Sequence, residues 1–342
     1  MVEFTAEFPL MIPRWVAVQA TLMLPALVWL YGWRTIDTVE WRTITAAPLS
    51  VTLDPGQQFL YGSPFIFLLG SYYQRQGLDF VAAFIMVHGL GLVFFGYALL
   101  RCLTQLCSTS GRAAGVIVLA GSPLLFVVLT WVGKSDTYLL AFYLLLVTAR
   151  SRLTMAILSV LMIACHRELA LAMLTAHGLL RGSVLPIAIG AAIGTVGTFV
   201  YTHAVLTSVP SSRLDFVLAH ARHMVRGVIA HPVIHLAATL GPFWIYLCRP
   251  SAFTVTRVAV LGMAAVLACF GYDFTRVFII AATPLLLVLT EEVVAELRES
   301  GRVGVFGRPV GLGALSLLAL LQVQVMGAKV LWVRGFEWTL LR

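Results

Sequence analysis

The sequence predicts an all-α polytopic membrane protein, and three observations carry that reading. Hydrophobic residues make up 60% of the 342 residues and charged residues only 11%, with a mean hydropathy of +0.94. A water-facing surface needs far more charge, so most of this chain's surface must face lipid. Apolar runs of helical length follow one another along the whole chain, with short loops between them. Arginines gather in alternate loops, which is the signature of cytoplasmic connections.

The runs lie at 11–33, 78–100, 113–132, 136–149, 153–165, 168–180, 184–206, 233–248, 254–271, 276–290 and 310–332. The first is preceded by Glu3 and Glu7 rather than a basic segment, and no small-residue cleavage site follows it, so it reads as a retained helix. A twelfth run, 59–73, is short and interrupted by Gly62, Pro64 and Gly70. If it stays on the outer face, Arg14, Arg101, Arg112, Arg150, Arg152, Arg181, Arg249, Arg298, Arg302 and Arg308 all fall on one side. If it crosses, every later loop inverts. The expected topology is therefore eleven crossings, N-terminus inside and C-terminus outside. It forms one integral membrane domain over 1–342, with a first outer loop at 34–77 that carries juxtamembrane helices. Residues 208–232 place Leu214, Val217, Leu218, Ala221, Val225 and Val228 on one helical face, which predicts an outer interfacial helix.

Three central runs have only 13 or 14 residues, about 20 Å of a roughly 30 Å hydrocarbon core. Helices that short line a cavity, because their ends would otherwise strand backbone groups in lipid.

Composition excludes several classes. The net charge of +8 rests almost wholly on Arg: 23 basic residues less Lys134 and Lys329 leave 21. No basic stretch interleaved with aromatics suits nucleic acid. Five scattered cysteines suit neither a disulfide framework nor a zinc site. His220 and His223 are three apart without a carboxylate or Cys in register, so no metal site is expected.

The outer side collects the ionisable groups. Asp37, Glu40 and Asp54 sit in the first loop, and Lys134 and Asp136 open a short run. His166, Arg167 and Glu168 form a hairpin tip, and Tyr272, Asp273 and Arg276 join two later runs. A charge at the membrane costs about 2.5–3.5 kcal/mol on insertion scales, so several kept on one side mark a site. Asp37 has the character of a general base. Asp136 is either a helix cap or a second acid, and the His166 segment is either a plain turn or a phosphate cluster. Arg276 either snorkels, pairs with Asp273, or clamps a lipid-linked phosphate. Lys134 offers a point charge to phosphate. An anionic lipid head group is the natural ligand for such a set.

In order along the chain, Asp37, YGSPFIFLLGSYY at 61–73, Arg101, SDTYLLAFYLLLVTARSR at 135–152, the paired short runs of 157–182 and TRVFIIAATPLLLVL at 275–289 resemble the GT-C-fold, polyprenol-phosphate-dependent glycosyltransferases. The likeness is to the branch of bacterial protein mannosyltransferases and lipid A aminoarabinose transferases, and to actinobacterial polyprenol-dependent mannosyltransferases. The chain departs from it in being short, without a soluble C-terminal domain, and in having His166-Arg167-Glu168 where the family often has Lys. The resemblance implies an inverting transfer of one sugar from a polyprenyl-phosphate donor to a glycan, lipid or protein acceptor. The reaction would run outside the cytoplasm, at a bacterial inner (plasma) membrane. It implies Asp37 as base, Arg276 as phosphate clamp, Lys134, His166 and Arg167 assisting, Asp136 supporting the base or the sugar, and Glu40, Asp54, Glu168, Tyr272 and Asp273 in supporting places. No cofactor is required; a divalent metal is compatible but not indicated. A repeat-unit polymerase using a diphosphate donor is the nearest rival. A transporter and a non-enzymatic scaffold are more distant ones.

Overall fold

A computed structural model describes residues 64–132, 134–205, 213–247, 254–271 and 273–305. It also describes 21–22, 34–35, 41–42, 45–46, 308–311, 324–326, 329–331 and 337–339. Most of these residues are helical, and the helices are apolar: the architecture is that of an α-helical membrane protein.

Helix α1, Pro64–Arg75, lies within the expected first outer loop. Helix α2, Phe80–Ala120, starts at Asp79, whose carboxylate accepts the Ala82 N–H at 2.8 Å. It breaks at Ser108, which has φ 64° and ψ 169°. Its first part, Phe80–Thr109, is long and apolar enough to cross a bilayer. Helix α3, Pro123–Thr130, is followed by the short α4, Asp136–Val147, and α5, Arg152–Cys165. Then come α6, Arg167–Arg181, and α7, Val184–Val205. Gly182 closes α6 in the left-handed region (φ 83°), a conformation that costs Gly little, so α7 can begin within two residues. Helices α8, Arg213–Ala230, α9, Pro232–Leu240, and α10, Trp244–Leu247, precede α11, Val255–Cys269. The helical part ends with α12, Phe274–Ala281, and α13, Thr283–Ser300.

The positions of 136–149, 153–165, 168–180, 184–206 and 254–271 emerge as α4 to α7 and α11 within a residue or two. The expected interfacial helix of 208–232 corresponds to α8. Two other runs are bent rather than straight, and a third bend falls where the 208–232 segment meets the 233–248 run. The 113–132 run forms the end of α2 and α3 at 81°, and the 276–290 run forms α12 and α13 at 61°. The end of α8 meets Pro232–Leu247 at 107°. Each bend has a proline at the start of its second helix (Pro123, Pro232 and Pro284), where the missing N–H and fixed φ end one helix and seed another. The first break also meets the second bent pair: the Phe243 N–H, in the turn between α9 and α10, donates to the Gly121 carbonyl at 3.0 Å. By length and composition the described residues hold two spans, or up to five when each bent pair is one, so eleven straight crossings are not what the described chain shows.

The run 310–332 departs from expectation. Its described residues form strands: β4, Arg308–Val310, pairs with β3, Val303–Val305, and β5, Gln324–Met326, begins a three-stranded antiparallel sheet with β6, Lys329–Leu331, and β7, Glu337–Thr339. Gln322, Val323, Gln324 and Val325 alternate polar and apolar, a period of two that suits a strand. The run 11–33 lies almost entirely outside the described residues.

The core is built around α4, which is buried on nearly every side between α2 and α5. The segment before α1 is anchored by Trp41, fully buried against Phe80, Phe84 and His88. Helices α5 and α7 meet at very short range. A side chain at Gly190 would put Cβ 2.3 Å from the Ala156 carbonyl oxygen, and one at Gly194 would put it 2.8 Å from Ile163. Close backbone approach through small residues is how helices associate when lipid removes the hydrophobic drive.

At the end of the bundle opposite Asp136, Arg181 pairs with Glu291 at 2.8 Å and Arg257 with Glu292. Arg181 is one of the arginines expected on a single membrane side, and the consecutive Glu291 and Glu292 bring it near Arg257.

Gly190→Val should push α7 off α5 and cost on the order of 1–3 kcal/mol, read as earlier thermal unfolding in detergent. Gly197→Ala, which meets nothing within 4 Å, should leave the transition where it is.

Candidate anion site at the start of helix α12

The site begins with the capping chemistry of α12. Asp273 is its N-cap, and its carboxylate accepts the Arg276 N–H at 3.1 Å. Capping fixes the first turn and so fixes the direction of the Arg276 side chain. That side chain reaches Asp136, the first residue of α4. Nη2 donates to Oδ1 at 2.7 Å and Nε donates to Oδ2. The pair is buried, with 3% of Asp136 and 8% of Arg276 exposed. Two parallel donors on one carboxylate make the fork geometry that only Arg supplies.

Neighbouring elements hold the pair in place. The Ser135 hydroxyl donates to the Cys165 carbonyl at 2.6 Å, which ties the start of α4 to the tip between α5 and α6. At that tip His166 ends α5 and caps α6, its Nδ1 accepting the Leu169 N–H at 3.4 Å. Burial pushes the His166 imidazole down to about 4, so the ring is neutral at ordinary pH. Arg167 donates to Glu168 at 2.8 Å, and Lys134 acts electrostatically on Asp136, Asp273 and His166.

Strand β5 closes the other side. Gln324 donates its amide N–H groups to both oxygens of Asp273 at 3.0 Å, and the Val325 N–H donates to the Thr275 hydroxyl at 2.8 Å. Burial pushes the Asp273 carboxyl above the usual carboxylate range, against the pull of Arg276 and Gln324.

The structure thus brings Lys134, Asp136, His166, Asp273 and Arg276 to one place, with Arg167 and Glu168 at its edge. Two expectations need amending. Asp136 is not a free acid and Arg276 is not a free clamp: each is the other's partner. Arg276 pairs with Asp136 and not with Asp273, because Asp273 spends its oxygens on the α12 cap and on Gln324. Asp37, Glu40, Asp54 and Tyr272 lie outside the described residues. Two residues before Asp37, however, β1 (Arg34–Thr35) pairs in parallel with β2 (Trp131–Val132), which ends two residues before Lys134. Sequence reasoning missed Gln324 and Thr275, and the alternating pattern around Gln324 was the signal available. Among the described residues no group of three or more His, Cys, Asp and Glu is placed to hold a metal.

An open, almost wholly apolar groove of about 540 Å³ borders the other face of α12. Its walls include Val228, Leu236, Trp244, Leu261, Phe274 and Phe278. Phe274 and Phe278 are one turn apart, and Arg276 lies between them in sequence, on the opposite face. The groove and the charged pair therefore share the start of α12 without opening directly onto each other.

Against known proteins, the chain matches no family model, no curated protein and no solved structure.

Removing one partner of the buried pair strands the other. Asp136→Asn and Arg276→Met should each destabilise by about 3–5 kcal/mol, and the double variant should be less unstable than the sum, measured as a thermal-unfolding cycle. His166 gives a separate signature. Its proton affinity is lowered on folding, so stability is whole above the unfolded value of about 6.5 and falls as pH drops toward about 4. His166→Gln should flatten that acid limb in a pH series of unfolding temperatures.

Proposed function

We propose that the chain is a glycosyltransferase that moves a sugar from a polyprenyl-phosphate donor to an acceptor hydroxyl on the non-cytoplasmic face of a membrane. The observation that carries this reading is the buried Asp136–Arg276 pair with Lys134 beside it, set at the start of α12, whose other face borders an apolar groove. A lipid phosphate whose long flexible chain passes round the first turn of α12 meets both faces: its anion lies at Arg276 and Lys134, and its apolar chain reaches the groove.

In this reading the donor phosphate takes the Arg276 fork and Asp136 turns from its partner toward the sugar. The acceptor oxygen attacks the anomeric carbon, the bond from that carbon to the phosphate oxygen breaks, and polyprenyl phosphate leaves with Arg276 and Lys134 bearing its charge. The acceptor proton passes to a carboxylate. Asp37 is the proposed base, supported by its two-residue distance from β1 and by the parallel pairing of β1 with the strand leading to Lys134. A single displacement inverts the anomeric centre.

One observation favours a second reading, transport. Three bent helix pairs are the kind of interrupted helix that lines substrate paths in transporters. The charges, however, gather at the two ends of the bundle and not at its middle.

Purified protein in nanodiscs, given polyprenyl-phosphate sugars, should release polyprenyl phosphate. Asp37→Asn should abolish release, and Arg276→Lys, which offers a point charge for a fork, should lower it at least about tenfold. No release from any donor by folded wild-type protein would overturn the proposal in favour of transport.

A further inference from the structure

Among the described residues, the charges at the start of α12 offset one another. Two buried carboxylates, Asp136 and Asp273, face Arg276 and Lys134. They are not equivalent. Asp136 holds the guanidinium through both of its oxygens. The hydrogen bonds given to Asp273 come from neutral donors: the Arg276 backbone N–H and the Gln324 amide. An anion arriving at Arg276 and Lys134 adds negative charge beside both carboxylates and draws cationic charge away from them. Protonating one carboxylate relieves this at least cost, and Asp273, whose hydrogen-bond donors are neutral, is the one that yields.

We propose that this site takes up one proton on Asp273 for each singly charged lipid phosphodiester it binds. The proposal rests on the lipid-phosphate reading above and extends it from the ligand to the ligand's coupling with pH. Gln324 is the residue that makes both states tolerable. As observed, its amide nitrogen donates to the carboxylate. Turned end for end, the same amide presents its oxygen to the O–H of the neutral acid. A buried residue at this position, 0% exposed, that can serve as donor or acceptor keeps either form of Asp273 hydrogen-bonded.

Among the described residues, the other ionisable groups near Asp273 are engaged or distant in charge. Asp136 at α4 is held by Arg276; Lys134 and Arg276 remain cationic. At the α5–α6 tip His166 is neutral, and Glu168 is paired with Arg167. On α9, His235 packs its ring on Phe274 and has its Nδ1 within 3.0 Å of the His231 carbonyl.

The test uses full-length protein in nanodiscs and a short-chain polyprenyl phosphodiester, whose single charge does not titrate between pH 5 and 8. Isothermal titration in two buffers of different ionisation heat counts protons exchanged. Wild type should take up close to one proton per ligand at a pH above the Asp273 value of the empty site. Affinity should fall up to tenfold per pH unit as pH rises through that window. Asp273→Asn keeps an N-cap of equal quality; it should exchange no proton and bind with an affinity flat in pH. Gln324→Leu, which removes the acceptor for the neutral acid, should cut the uptake well below one. His166→Gln should leave the uptake unchanged. Binding without proton uptake in wild type, or uptake that survives Asp273→Asn, overturns the proposal and leaves the lipid-phosphate reading standing. No binding at any pH overturns both.

Discussion

The ion pair between Asp136 and Arg276 joins residues 140 positions apart, and the arrangement of the bundle follows from it. Two charges removed from water are tolerable only as a well-formed pair with their remaining hydrogen-bonding capacity met. That requirement brings the start of α4 to the start of α12. It sets α12 against the tip between α5 and α6, where Ser135 and His166 are tied. It also gives the C-terminal β5 a place to dock, since Asp273 and Thr275 flank the pair and take their partners from Gln324 and Val325.

Around this point the bundle divides its labour. Helices α5 and α7 pack through glycine, with no charge at their contact, and form a rigid wall. The bent pairs α2–α3, α8–α9 and α12–α13 carry their prolines at the bends; the first and last of these bends are buried, which places their loose helix ends inside protein. Irregular backbone of this kind is where a membrane protein can expose polar groups to a ligand. The apolar groove beside Phe274 and Phe278 lies on the same irregular part of the structure.

Hydropathy made the central helices legible: α4 to α7 and α11 appear close to where the apolar runs put them. Arginine placement made the division into two charged ends legible too, since Arg181 and Glu291 meet at one end and Asp136 and Arg276 at the other. What hydropathy could not convey is direction within a run. Pro123 and Pro284 sit inside stretches apolar enough to pass as single spans, and the bends depend on local φ and missing N–H groups. Nor could it distinguish Gln324 in a strand from the tail of a helix, because Val and Leu satisfy either pattern. In the site, residue types marked the participants, but pairing was hidden. Asp136 and Asp273 are the same residue type beside runs of similar apolarity, and only the fold decides which one holds the guanidinium.

The two charged clusters stand at opposite ends of α6, whose 15 residues span about 22 Å, against a hydrocarbon core of roughly 30 Å. For α6 set along the normal of a bilayer, the distance between the clusters is shorter than the hydrocarbon core. A membrane voltage that drops across this shorter insulating layer produces a field there about a third steeper than in the lipid alongside. Any charge moving between the Arg181–Glu291 end and the Asp136–Arg276 end travels through that steeper field. In that setting the short helices would make this part of the protein an electrical element of the membrane as well as a chemical one.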